Sequence, residues 1–225
     1  MKIVSAAFNA ALRQGYITTN PCTAVEALPE QTAERSNFTP TQVAALVQSA
    51  EGDWQGAILF GYYTGARLND VANMRWNAVN VADKVIEFCP KKTRKPVVIP
   101  LHSDLERHLL KSPGVGRAFL FPSLAEKRTG GKNGLSGQFK AVMEKAQIEG
   151  KITRHTTEGR ANASLSFHSL RHSFNSAMAN AGVSQEIRMK LTGHASAEMN
   201  TGYTHHELEP LRAAVAVIPS IGLRG

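Results

Sequence analysis

Two short β-branched runs, Val85-Ile86-Glu87-Phe88 and Val97-Val98-Ile99, interrupt a chain whose other apolar residues recur mostly with helical spacing. The segment between them, Cys89-Pro90-Lys91-Lys92-Thr93-Arg94-Lys95-Pro96, is short and carries Lys91, Lys92, Arg94 and Lys95. Strands this close in sequence pair as an antiparallel hairpin. The expected fold is therefore mainly α with one small antiparallel β-sheet, an α+β domain whose hairpin has a strongly basic tip.

Helical signals flank the hairpin on both sides. Residues 1 to about 20 read as a helix with Ile3, Ala7, Ala10 and Ala11 on its apolar face, ended by Gly15 and by Asn20-Pro21. From Pro21 to Asn37 the composition is that of a linker. Thr39-Pro40-Thr41-Gln42 combines a capping box with Pro at the first helical position, and Val43, Leu46 and Val47 continue it as an inward stripe. Trp54 to Tyr63 is apolar all round, Gly65 breaks that helix, and Arg67 opens a short amphipathic one carrying Leu68, Val71 and Met74. Ser103-Asp104-Leu105-Glu106 reads as a second capping box, with its helix running to about Leu110. Further helices are expected over Ser136 to Gln147, Ser173 to Ala181 and Leu208 to Val217, with 126–134 and 150–165 as flexible segments.

Composition narrows the function classes. The chain has 225 residues, room for one large domain or one domain with a small appendage. Its 42% hydrophobic and 20% charged residues exclude a disordered or fibrous chain. Lys plus Arg number 26 against 18 Asp plus Glu, a net charge of +8, which suits a polyanionic partner. The apolar run Ala213 to Ile218 falls far short of the roughly 20 residues a bilayer span needs, so no membrane association is expected. Asn9 and Arg13 interrupt the N-terminal apolar stretch, which reads as a helix rather than a signal peptide, and the expected location is cytoplasmic. With Cys22 and Cys89 alone, a disulfide framework and a four-cysteine zinc site are excluded, and both read as free buried thiols.

Five places carry potential chemistry. In Thr64-Gly65-Ala66-Arg67-Leu68-Asn69-Asp70, an Arg follows a helix-breaking Gly, with Asp70 spaced to orient its guanidinium. Such an Arg presents a fixed fork suited to phosphate, though a plain surface ion pair has the same spacing. In His168-Ser169-Leu170-Arg171-His172, a proton-transfer group and a cation share one helical face. A metal reading of His168 and His172 lacks both the intervening Glu of a zinc-protease helix and a nearby third ligand. Gly193-His194 and, nine residues on, Tyr203 are the third and fourth places, and the hairpin tip is the fifth. A tyrosine, two arginines and two histidines are together the parts for phosphoryl transfer to tyrosine.

Arg67 in its Thr64-Gly65-Ala66-Arg67 context, His168 through His172, Gly193-His194 and Tyr203, in this order and spacing, resemble the catalytic domain of the tyrosine recombinase (phage integrase) family. The resemblance covers roughly residues 36–212. Residues 1–35 look like the last helix of the family's core-binding domain and a linker, and 36–225 like the catalytic domain with a C-terminal helical tail. The rest of the core-binding domain would lie outside this chain, whether as a fragment cut at a domain boundary or as a truncated gene product. Residue by residue, the resemblance implies that Tyr203 attacks the scissile phosphate to form a 3′-phosphotyrosyl link. Arg67 and Arg171 would clamp the non-bridging oxygens, His168 would assist proton transfer and His194 would hydrogen-bond the phosphate. The family's hairpin lysine, the general acid for the leaving 5′-oxygen, matches Lys92 best, with Lys91 and Lys95 as rivals. Arg94 stands where the family often has Gly. Lys91, Arg94 and Lys95 would contact DNA, and Asp70 and His172 would be supporting groups.

Because a phosphotyrosine conserves the phosphodiester's energy, the implied chemistry uses no cofactor and no metal. The implied function is site-specific recombination for a prophage or mobile element. The implied partners are double-stranded DNA and the protein itself, monomeric without DNA and tetrameric on it. The tail helix carrying Leu208, Leu211 and Val215 would pack either on its own chain or on a neighbour. The competing readings are a catalytically silent DNA-binding module, a type IB topoisomerase-like strand transferase and, weakest, a metal-dependent hydrolase built from the eight histidines.

Overall fold

The computed structural model describes residues 2–25, 36–111, 114–131, 133–150, 152–155, 161–192 and 208–222. They form two compact units, 1–33 and 34–225. In the smaller one, helix α1 (Lys2–Arg13) is followed by a single 3-10 turn, Pro21–Ala24. The buried amide of Asn20 joins them: it donates to Asn9 Oδ1 at 2.7 Å and accepts the Cys22 N–H at 2.9 Å. The helix ends before residue 20, and part of the expected linker is thus a capped helical turn.

The larger unit is a helical core with small sheets at its surface. Helix α2 (Pro40–Ser49) starts at the expected capping box, in which Thr39 Oγ1 accepts the Gln42 N–H and Gln42 Oε1 the Thr39 N–H. Helix α3 (Asp53–Thr64) is buried along nearly its whole length, which explains a sequence without a polar face. It ends at Gly65, whose φ of +63° is the left-handed conformation glycine adopts without penalty. A Cβ there would lie 2.7 Å from the Phe174 ring. Helix α4 (Leu68–Ala72) follows, with Arg67 as its extended N-cap residue.

The sheet has three strands: β1 (Val79–Asn80), β2 (Val85–Phe88) and β3 (Val97–Pro100), antiparallel in the order β1-β2-β3, with Phe88 opposite Val97 and Val85 opposite Pro100. Val97 and Ile99 face the core. Cys89, where the hairpin leaves the sheet, is exposed and Cys22 is half-buried, so the two free thiols are not the buried ones expected. A second sheet falls where a flexible segment was expected: β4 (Ile152–His155) pairs with β5 (Ala161–Ala163). The described residues thus hold a second, two-stranded sheet beside the expected small antiparallel one.

Helix α5 (Ser103–Leu109) is capped by His102, not Ser103: the imidazole Nδ1 accepts the Asp104 N–H at 3.2 Å. The capping box fails because the histidine, stacked on Tyr63 at 4.0 Å, already occupies the cap. The Asp104 carboxylate accepts from Tyr63 Oη (2.8 Å) and Ser220 Oγ (2.6 Å) and pairs with Arg107. Burial alone would push that carboxyl up; the hydrogen bonds from Ser220 and Tyr63, with His102 and Arg107, hold it below the usual carboxylate range.

Helix α6 (Leu135–Lys145) turns Leu135, Phe139, Val142 and Met143 inward. Helix α7 (Phe167–Asn180) starts earlier than expected, at a Ser166–Ser169 capping box, and packs on α3. Helices α8 (Gln185–Thr192) and α9 (Leu208–Ala216) pack against β3. Leu211, Ala214 and Val215 of the tail, with Ile218 and Ile221 beyond it, are buried within their own chain. No helix among the described residues is long and apolar enough to cross a membrane.

Candidate active site

Arg171, on α7, has its side chain enclosed by two loops. Its residue exposure is 6%, and a charged side chain buried that deeply needs hydrogen-bond partners. Nη1 donates to the carbonyl of Gly65 at 2.7 Å and Nη2 to the carbonyl of Thr192. Gly65 lies two residues before Arg67, and Thr192 two residues before His194. One guanidinium therefore fastens the segment leading to Arg67 and the segment leading to His194 to the helix that bears His168. Burial, and then the neighbouring charge of Arg67, push the Arg171 guanidinium down to about 10, against the opposing pull of Asp70. It remains a cation at neutral pH.

Thr64 reinforces the bend before Arg67. Its hydroxyl donates to the Phe60 carbonyl at 2.6 Å and accepts the Ala66 N–H at 3.2 Å. Arg67 itself is half-buried. Asp70 does not form the expected ion pair with it: among the described residues, the Asp70 carboxylate instead accepts the backbone N–H of Lys91 at 3.1 Å. Asp70, in the first turn of α4, thus links that helix to the β2–β3 turn.

His168 and His172 are one helical turn apart on α7, half-buried, with ring centroids 4.9 Å apart and edge-to-face. No group of three or more His, Cys, Asp or Glu able to hold a metal occurs among the described residues. On the hairpin, Lys91, Lys92, Arg94 and Lys95 are all exposed. The turn closes by an Arg94 N–H bond to the Pro90 carbonyl at 2.9 Å, and Arg94 sits at φ +52°, in the left-handed region. That is a geometry glycine adopts freely and an arginine holds only at modest strain. His194 and Tyr203 lie outside the described residues.

The structure brings Arg67, His168, Arg171 and Asp70 to one region, and Asp70 carries the hairpin to it. An open cleft of about 440 Å³ runs beside α4, lined by Asn69, Asp70, Asn73, Lys91 and Lys127 among others. Sequence reading took Gly65 only as a helix breaker and missed that its carbonyl, with that of Thr192, is what Arg171 grips. Two main-chain acceptors carry no residue-type signal. Asn73, which organises the other side of the cleft, was also missed.

Residues 36–209 match the phage integrase family. The integrase of Enterobacteria phage 434 is 27% identical over 214 residues, covering 89% of this chain and 55% of the relative. The tyrosine recombinase XerD of Ralstonia nicotianae is 23% identical over 211 residues, covering 91% and 67%. Among solved structures, a lambda integrase tetramer bound to a Holliday junction superposes with a TM-score of 0.59 at 23% identity, covering 88% of this chain and 58% of that one. The chain spans about half the length of the phage 434 relative.

Proposed function

The chain belongs to the phage integrase family, and from that premise we propose that it is a site-specific DNA recombinase that cuts and rejoins DNA through Tyr203. The observation that carries the proposal is the burial of Arg171 between the Gly65 and Thr192 carbonyls. A fastened, desolvated cation beside Arg67 supplies preorganised stabilisation for a phosphate gaining charge in the transition state. A silent binding module has no use for a cation held at that cost.

The reaction proceeds as follows. Tyr203 Oη attacks the scissile phosphorus while its proton passes toward His168. Arg67 and Arg171 hold the non-bridging oxygens, and His194 donates to one of them. The phosphorus–5′-oxygen bond breaks, and Lys92 protonates the leaving oxygen, giving a 5′-hydroxyl and a 3′-phosphotyrosine. Attack by another strand's 5′-hydroxyl on that linkage reseals the DNA and returns the tyrosine, so no cofactor or metal enters the balance. Residues 1–35 act as the end of a core-binding domain, as the notably separate packing of the smaller unit supports. The protein works in the cytoplasm for a prophage or mobile element, monomeric when free and tetrameric on DNA, as the lambda integrase is on its junction.

The test is a nicked suicide duplex from the DNA flanking the element, incubated in EDTA with wild type and with Tyr203→Phe. A denaturant-resistant protein–DNA adduct from wild type alone is expected. No adduct from either protein while DNA binding persists, or a strict need for divalent metal, would overturn the proposal.

A further inference from the structure

Helix α4 and its C-cap residue Asn73 offer two acceptors one turn apart, and each takes a backbone N–H from a different basic segment. Asp70 Oδ1 accepts from Lys91, on the hairpin. Asn73 Oδ1 accepts from Glu126 at 3.0 Å, and the Asn73 amide donates back to the Asn69 carbonyl at 2.8 Å, fixing its orientation. The segment so held continues as Lys127 and Arg128, both exposed. Glu126 takes φ +61°, a sharp bend. Beyond it, the Arg128 and Thr129 carbonyls accept the N–H groups of Leu135 and Ser136 at 2.9 Å each, at the start of α6. Gly134 makes this closure possible, since a Cβ there would lie 2.4 Å from the Gly130 carbonyl oxygen. The loop is therefore anchored at both ends, and Lys127 lines the same cleft as Lys91 and Asp70.

We propose that Lys127 and Arg128 form a second DNA-backbone contact, opposite the hairpin across the α4 cleft, and that Asn73 is the residue that positions them. The inference rests on the recombinase reading. Phosphate is the ligand chemistry the surface fits: two cations stand on a fixed loop and a third, Lys91, on the facing wall. Asp70 is engaged with the hairpin backbone, and Glu126 is the loop's single anion between residues 126 and 131. A loop held at both ends loses little conformational freedom on meeting a phosphate, so its charges count for more than those of a free tail.

The experiment measures binding of a fluorescent non-specific duplex, about 30 base pairs long, by anisotropy between about 50 and 200 mM salt, where phosphate contacts set the slope of log K against log salt. Lys127→Ala with Arg128→Ala should lower that slope by about 1.8, at roughly 0.9 per lost contact. Asn73→Ala should weaken binding without removing a charge, and should add nothing in the Lys127→Ala/Arg128→Ala background. Lys91→Ala with Lys95→Ala separates the two readings. If the hairpin pair lowers the slope and the loop pair does not, this inference fails and the recombinase reading stands. If neither pair changes it, both fail. If Asn73→Ala does not fold, the loop pair alone decides, because both side chains are exposed.

Discussion

Two groups of cations serve the proposed reaction, and the protein treats them in opposite ways. Arg171 is buried, donates to two main-chain carbonyls and fastens three segments together. Lys91, Lys92, Arg94 and Lys95 project into solvent from a turn held by one backbone bond to Asp70 and one within the turn. Stability and chemistry are thus fused in one group and separate in the other. The buried fork suits a role in which geometry must not vary, whereas an exposed lysine can follow a leaving oxygen as it moves.

Arg171→Lys is the sharpest way to break the contrast. It keeps the charge but cannot reach both carbonyls, so it should slow single-turnover cleavage by about 100-fold or more and lower stability by about 2 kcal/mol through orphaned acceptors. Chemical denaturation and suicide-substrate kinetics on the same variant check the pair; loss of activity with unchanged stability would dissolve the fused role. Lys92→Ala should slow cleavage by about 100-fold with a denaturation midpoint equal to wild type. A substrate with sulfur in place of the bridging 5′-oxygen, a better leaving group, should restore its rate. If Lys91→Ala or Lys95→Ala shows that rescue instead, the general acid moves to that residue.

The buried side also answers to pH. Burial pushes both His102 and His108 below their ordinary value of 6.5, so the folded state resists a proton that the unfolded chain accepts. Stability is therefore fully present above about pH 6.5 and falls as the pH drops through and below it. His102→Asn keeps a cap acceptor for the Asp104 N–H and should flatten part of the decline in thermal midpoint between about pH 7.5 and 5.5. An identical slope in the variant would place the titration elsewhere. The smallest effect belongs to Arg94→Gly, which relieves the left-handed strain but frees the unfolded chain, leaving stability within about 1 kcal/mol of wild type.

Much of this architecture was legible because it is local. The Thr39–Gln42 capping box, the two β-branched runs and the break at Gly65 each depend on residues within one turn. The misses are of another kind. Strand β1 is two residues long and carries no period. The pairing of β4 with β5 was hidden in a segment read as flexible. His102 displaced Ser103 as a cap because Tyr63, far away in sequence, stacks on it. In the candidate site, residue types pointed to Arg67, His168 and Arg171, but the two carbonyls that accept from Arg171 among the described residues are main chain, and Asp70 found its partner on the hairpin rather than at Arg67. Tertiary partners overrode local spacing in each case.

The central claim is that Tyr203 is the atom donor to DNA phosphorus. The covalent adduct from the suicide duplex, trimmed with nuclease and digested with trypsin, tests it directly by peptide mass spectrometry. Residues 191–212 form one tryptic peptide with Tyr203 as its single tyrosine. The account predicts a nucleotide phosphate on Tyr203 within that peptide; attachment to any other residue, or an adduct that persists in Tyr203→Phe, would contradict it.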